Sequence, residues 1–252
     1  MLHISIFADL LKEIIEYYMK YLMTLAIVFV SIAATAQDGT QQAKQDSIPW
    51  ELRKNAFIYS QAKKYNDPAL ARMALYNIMA ESPGNYAIYD TLALWYYEYN
   101  QLASAALVAS DAMRINPNDL FAAEIAAVSF EGLGVKNRAV DNFEKLYLGN
   151  NEIGVLYKVA FLQMELKRYG EAINNADVII ESPKSETEKL IFPVDDKGKT
   201  QEVSLKVATI RLKGMIEQDR GNTALAKDLF QKALDMQPDF VILKQQIEEL
   251  SK

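Results

Sequence analysis

The sequence has no cysteine and a single histidine, His3, among its 252 residues. Thiolate nucleophiles, disulfides, iron–sulfur clusters and the usual zinc sites are excluded, because each needs sulfur or several imidazole donors. Histidine-based acid–base catalysis is excluded as well if the mature chain begins beyond His3. Glycine and proline are scarce, ten and seven residues, which rules out collagenous and Pro/Gly-rich disordered classes. Positive charge is in deficit, 27 Lys and Arg against 33 Asp and Glu for a net charge of −6. No field attracts a polyanion, so nucleic acid is not expected as a partner. Half of the residues are apolar and 24% are charged, a balance that allows a sizeable core. Carboxylate chemistry, or binding without chemistry, is what remains.

No apolar run is long enough to span a bilayer. Residues 19–36 read MKYLMTLAIVFVSIAATA, with Lys20 beside Met19, an apolar run of 12 residues from Tyr21 to Ile32, and Ala34-Thr35-Ala36 at the end. A spanning helix needs roughly 20 residues, whereas a short run ending in small-x-small residues is what a signal peptidase cuts. A signal peptide over 19–36 cleaved before Gln37 is expected, with an uncleaved membrane anchor as the alternative. Upstream, Asp9, Glu13 and Glu16 outnumber Lys12, the wrong sign for a signal's basic start, so residues 1–18 read as a gene-model extension. Residues 37–48 are polar and aperiodic, a flexible leader. Export to the periplasm or beyond, without stable membrane insertion after cleavage, follows as the expected location.

From residue 49 to 252 the chain repeats itself. An alanine is followed by an apolar or small residue four positions later, another three after that, and then a helix breaker. The copies are Ala71, Leu75, Ile78, Pro83; Ala105, Ala109, Ala112, Pro117; Ala139, Phe143, Leu146, Asn151; Ala172, Ala176, Ile179, Pro183; and Ala226, Phe230, Ala233, Pro238. The leading alanines are 34, 34, 33 and 54 residues apart. Spacings of four and three keep these residues on one helix face, and proline ends the helix by removing a donor. A preceding helical stretch carries a small residue, Ala93, Ala127, Ala160 or Gly214, with Tyr59 breaking the rule in copy one. Turn residues (Asn66-Asp67-Pro68, Gly134, Gly221-Asn222) separate the two helices of a pair.

Tyr89, Leu92, Ala93, Tyr96, Ala105, Ala112 and Pro117 in copy two, and Gly214, Gly221, Ala226, Phe230, Ala233 and Pro238 in copy five, resemble the tetratricopeptide (TPR) repeat pattern. The chain departs from it at Gln163 and Glu217 in place of an aromatic, at Lys213 in place of an apolar residue, and at Asn151 in place of proline. The resemblance implies an all-α fold, a right-handed α-solenoid of about five helix-turn-helix repeats. Val241 to Leu250 is expected to add a C-terminal capping helix with a polar outer face. The step of 54 leaves about 20 extra residues near 184–204. Leu190-Ile191-Phe192 and Thr200 to Val203 suggest an inserted β-hairpin, with an irregular loop as the alternative. Pro193 argues against a long ladder.

Little in the sequence carries chemistry. Asp195-Asp196 lacks the alternating acids of a calcium loop. Gly132-Leu133-Gly134 follows no strand, so a dinucleotide site fails on context. No catalytic residue, metal site or cofactor is expected. Binding is better supported: in TPR solenoids the first helix of each pair lines the concave groove. Periodicity places Asp90, Leu94 and Tyr97; Phe121, Glu124 and Val128; Tyr157, Phe161 and Met164; and Arg211 and Met215 off the packing stripe, as partner-binding candidates. Their mostly apolar character does not match the family's carboxylate clamp. Trp95 and Tyr96 are assigned to the core. The expected function is a non-enzymatic envelope scaffold that binds a peptide segment or partner protein. The alternative is a structural subunit that assembles through its convex face, an end or the hairpin. N-terminal sequencing of the exported protein is expected to begin at Gln37; recovery of intact residues 19–36 in a membrane pellet would replace the signal by an anchor.

Overall fold

A computed structural model describes residues 48–194 and 198–250. The leader segments and Asp195-Asp196 lie outside the described residues. Two compact units divide the chain. The larger holds residues 48–189 and 204–252, and its described part is a succession of antiparallel helix pairs. They are α1 (Trp50–Lys64) with α2 (Pro68–Glu81), α3 (Tyr86–Glu98) with α4 (Leu102–Ile115), α5 (Leu120–Gly132) with α6 (Lys136–Asn150), α7 (Ile153–Glu165) with α8 (Tyr169–Glu181), and α10 (Leu205–Asp219) with α11 (Thr223–Met236). A four-residue helix α9 (Lys184–Thr187) precedes the insertion, and α12 (Val241–Glu249) closes the array.

One turn is used five times. Asn66, Asn100, Gly134, Lys167 and Gly221 all have left-handed backbone, with φ of 56°, 54°, 73°, 60° and 83°. The next residue's N–H reaches back to the carbonyl five residues earlier: Asp67 to Ala62, Gln101 to Tyr96, Val135 to Phe130, Arg168 to Gln163 and Asn222 to Glu217, each at 2.8 Å. This Schellman arrangement satisfies carbonyls that the end of a helix leaves unpaired, and it reverses the chain in the same way each time. Glycine and asparagine adopt this backbone at little cost, whereas Lys167 does so with a Cβ strain.

Between the paired helices the small residues allow close approach. Ala93, Ala127 and Ala160 are fully buried, and so are the leading alanines of copies two to five. At Gly214 the approach is so close that a Cβ there would lie 2.4 Å from the Phe230 ring. The departures from the repeat pattern have built-in partners. Gln163, buried, donates to Glu144 at 2.9 Å and accepts from Asn175 at 2.8 Å. Glu217, buried, accepts from Arg220 and Asn222. Lys213 pairs with Asp177, and Asn151, in place of proline, closes α6 in a left-handed conformation at φ 56°. Trp95 and Tyr96 are core, as assigned, and the Tyr96 and Tyr76 hydroxyls lie 2.6 Å apart.

Despite the extra residues, α10 packs on α8 and α7 as the next pair of the array. A core cluster of Ala160, Met164, Ala172, Leu212 and Ile216 spans the sequence gap. The smaller unit contains Leu190–Val203. The insertion forms a two-stranded sheet of β1 (Lys189–Pro193) and β2 (Thr200–Ser204). Val194 N–H to Lys199 O at 2.7 Å and Leu205 N–H to Glu188 O at 2.8 Å set an antiparallel register. In this register Pro193 falls between hydrogen-bonded positions, and the pairing continues past it to Val194, so its missing donor costs the ladder nothing. The first residues of the expected insertion are helical instead, since Pro183 lets a new turn start at Lys184.

Lys167→Gly is expected to raise the unfolding free energy by about 1 kcal/mol through relief of the left-handed strain. Gly214→Ala should lower it by about 1–3 kcal/mol through overpacking against Phe230. Urea unfolding followed by helical circular dichroism measures both.

Candidate functional site

Because the turns are identical, residues one repeat apart occupy equivalent places. Asp90, Glu124, Tyr157 and Arg211 each lie 15 positions before the leading alanine of their copy, so they form one rung along the first helices α3, α5, α7 and α10. A second rung, one helical turn on, is Leu94, Val128, Phe161 and Met215. The first rung is ionisable at every step and the second is apolar at every step.

Burial acts on every member of the ionisable rung. It pushes Asp90 from its ordinary value of 3.8 up to about 8, with the Asp119 charge and hydrogen bond adding to the shift. It pushes Glu124 up to about 7, helped by Glu152. The Tyr157 phenol is raised by burial and the Arg211 guanidinium is lowered by it, while each stabilises the charged form of the other. Desolvation always disfavours the charged form, hence the opposite signs for acid and base.

The acids cluster around α5. Asp119 caps this helix by accepting from Ala122 N–H at 3.0 Å through Oδ1, but its Oδ2 is buried without a hydrogen bond, and so is Asp90 Oδ1. A proton carried by Asp90 and directed to Asp119 supplies the donor that both lack. Glu124 sits within a run from Ala122 to Phe130 that is buried throughout. Among the described residues no hydrogen bond or ion pair reaches it. The half-buried Tyr97 hydroxyl is raised by burial, then by Glu124 and Glu131. Lys158 of α7 pairs with Glu131 at 2.6 Å.

The apolar candidates fall into two groups. Tyr157, Phe161 and Met215 are partly buried and pack on the core cluster to which Met164 itself belongs. Leu94 and Phe121 are half-buried on α3 and α5, and Val128 is buried. Arg211 donates to Gln246 Oε1 at 2.9 Å and lies 5.9 Å from the Phe240 ring, which ties α10 to the closing helix. Asp119 was not among the candidates; an aspartate two residues after Pro117 and just ahead of an apolar helix signals a cap, but its free oxygen is visible only in the fold. Among the described residues no group of three or more metal-ligating side chains converges, and no helix is long and apolar enough to cross a membrane.

No protein-family model and no curated protein matches the chain. Solved structures do. A tetratricopeptide repeat protein from Parabacteroides merdae ATCC 43184 is 19% identical with a TM-score of 0.57, over 80% of this chain and 73% of that one. YrrB, described as a TPR protein with an unusual peptide-binding site, is 12% identical with a TM-score of 0.57, over 75% and 88%. MamA is 15% identical with a TM-score of 0.54, over 73% and 91%. At these identities the likeness is one of fold, and the larger unit has the TPR fold.

The raised carboxyl of Asp90 makes stability depend on pH. The folded chain keeps this proton up to about pH 8, whereas the unfolded chain releases it near 3.8. The contribution is therefore present below 3.8 and is lost progressively as pH rises towards 8. Asp90→Asn, whose amide donates without titrating, is expected to leave stability unchanged at pH 4. At pH 9 it should add on the order of 1–2 kcal/mol, less than full linkage because the residue is partly exposed. Urea midpoints at the two pH values check the sign.

Proposed function

We propose that the protein is an exported, non-enzymatic scaffold that holds a peptide segment of a partner protein along the face of its first helices. The supporting observation is the pair of rungs, in which ionisable and apolar residues alternate on equivalent positions of successive helices. A rigid scaffold that presents one chosen side chain per repeat suits an extended or helical segment, because the ligand then meets a regular series of positions. The fold shared with YrrB, for which a peptide-binding site is described, supports the same reading. The leader over 19–36 is the ground for export.

A second reading rests on the first repeat. Trp50, Phe57, Leu70 and Met73 are exposed there, whereas α12 closes the other end with polar Lys244, Gln245, Glu248 and Glu249 outward. A large apolar surface at one end suits a subunit of an assembly.

Leu94 and Phe121 separate the two. Immobilised full chain is expected to select binders from a displayed random-peptide library. The double variant Leu94→Glu, Phe121→Glu should lose capture by roughly tenfold or more. Leu148→Glu, at a position 76% exposed on α6, should bind as the parent does. Loss of capture on Trp50→Glu, Phe57→Glu with the groove variant unaffected would favour the end contact.

A further inference from the structure

The ionisable rung is polarised, with two acids on α3 and α5 followed by a phenol and a guanidinium on α7 and α10. Its acidic half contains a carboxylate with no partner. Glu124 is 6% exposed, yet no cation, amide or hydroxyl satisfies it in the described residues. The cost of burying such a group unpaired is several times that of an exposed charge. Unlike Asp90 and Asp119, it is not sealed: its oxygens are not among the fully inaccessible unsatisfied atoms. The side chain is recessed and its carboxylate still meets the surface.

The charges around it make the vacancy specific. On α3 stand Tyr97, whose phenol Glu124 raises, and, nearer the helix start, Asp90. Its own helix carries Glu131, with Asp119 at the cap, and α7 carries Lys158 and, at the cap, Glu152, whose charge raises Glu124. Only Lys158 is basic, and its ammonium is held by Glu131. On the second helices packed against α5, Asp111 and Arg114 of α4 pair with each other. On α6, Lys136 pairs with Glu165, Lys145 donates to Met113, Arg138 lies over the Phe130 ring, and Asp141 and Glu144 act on Arg168. Among the described residues no cation pairs with Glu124.

We propose that the first-helix face of copies two and three recognises a basic side chain, lysine or arginine, flanked by apolar residues on the bound segment, and that Glu124 is its seat. The half-buried neighbours Leu94 and Phe121 take the flanking residues, and the Tyr97 hydroxyl borders the seat. Binding supplies the counter-charge that the fold omits, and the recessed position makes that pair stronger than a surface ion pair. This inference rests on the groove reading above and adds the chemistry of the ligand to it.

The test compares the full chain with Glu124→Gln in the same peptide-display selection, with folding checked by thermal melting. Peptides enriched on the parent are expected to share a Lys or Arg at a fixed place between apolar residues. A synthetic copy of one such peptide should bind Glu124→Gln roughly tenfold more weakly. It should also bind the parent up to roughly tenfold more tightly at pH 8 than at pH 6, as a carboxyl titrating near 7 goes from about one-tenth to about nine-tenths ionised. Asp90 titrates in the same range, so the pH dependence must shrink in Glu124→Gln if Glu124 is its source. If the variant does not fold, the parent's selected sequences and its pH profile decide. Enrichment of peptides without a basic residue, or equal binding by parent and variant, overturns the basic seat and leaves the groove reading standing. Enrichment of nothing overturns both.

Discussion

The larger unit depends on one left-handed turn, repeated. In each of five helix pairs the chain reverses through a residue at positive φ, and a 2.8 Å hydrogen bond from the following N–H closes the end of the first helix. Since that bond and that backbone are the same each time, each second helix returns along its partner in the same register. Small residues then meet across the pair, and positions one repeat apart become neighbours in space. Packing and surface alike inherit their order from this local event, as expected where each repeat contacts chiefly the next.

The same regularity explains why the insertion is tolerated. Glu188 and Leu205, at the two ends of the hairpin, are hydrogen-bonded at 2.8 Å, so the chain returns beside the point at which it left. Loop closure costs grow slowly with length, so a hairpin at such a point disturbs the packing little. Met164, Ala172, Leu212 and Ile216 then pack across the break as one cluster.

Regular packing also shows where the chain departs from apolar economy. On the rung Tyr96, Phe130, Gln163, Glu217, the last two residues replace aromatics, and both are supplied with donors or acceptors from neighbouring positions. The polar group is buried but satisfied, so it serves structure. Asp90, Asp119 and Glu124 contrast with these. The first two can share one proton, while Glu124 has no hydrogen-bond or ion-pair partner among the described residues. A buried polar group without an internal partner is the exception in a folded protein.

Several features were legible without coordinates. The spacing of Ala71, Ala105, Ala139, Ala172 and Ala226 gave the repeat, its helix pairs and the buried stripe, because helical periodicity and helix breakers act locally. Gly134, Gly221-Asn222 and Asn66 marked turns for the same reason. Lys167 and Asn100 did not stand out, since lysine is no turn signal and only comparison with the equivalent turns explains its backbone. The candidates on the first helices were chosen by periodicity, which tells which face a residue occupies but not how deeply it sinks. Met164 and Val128 thus lie in the core, and Tyr157, Phe161 and Met215 lean on it. The charge state of Asp90 and the isolation of Glu124 were beyond the sequence altogether. Helix and turn depend on neighbours along the chain, and the sequence determines them; desolvation and pairing depend on what the other helices bring near, and only the tertiary structure decided those.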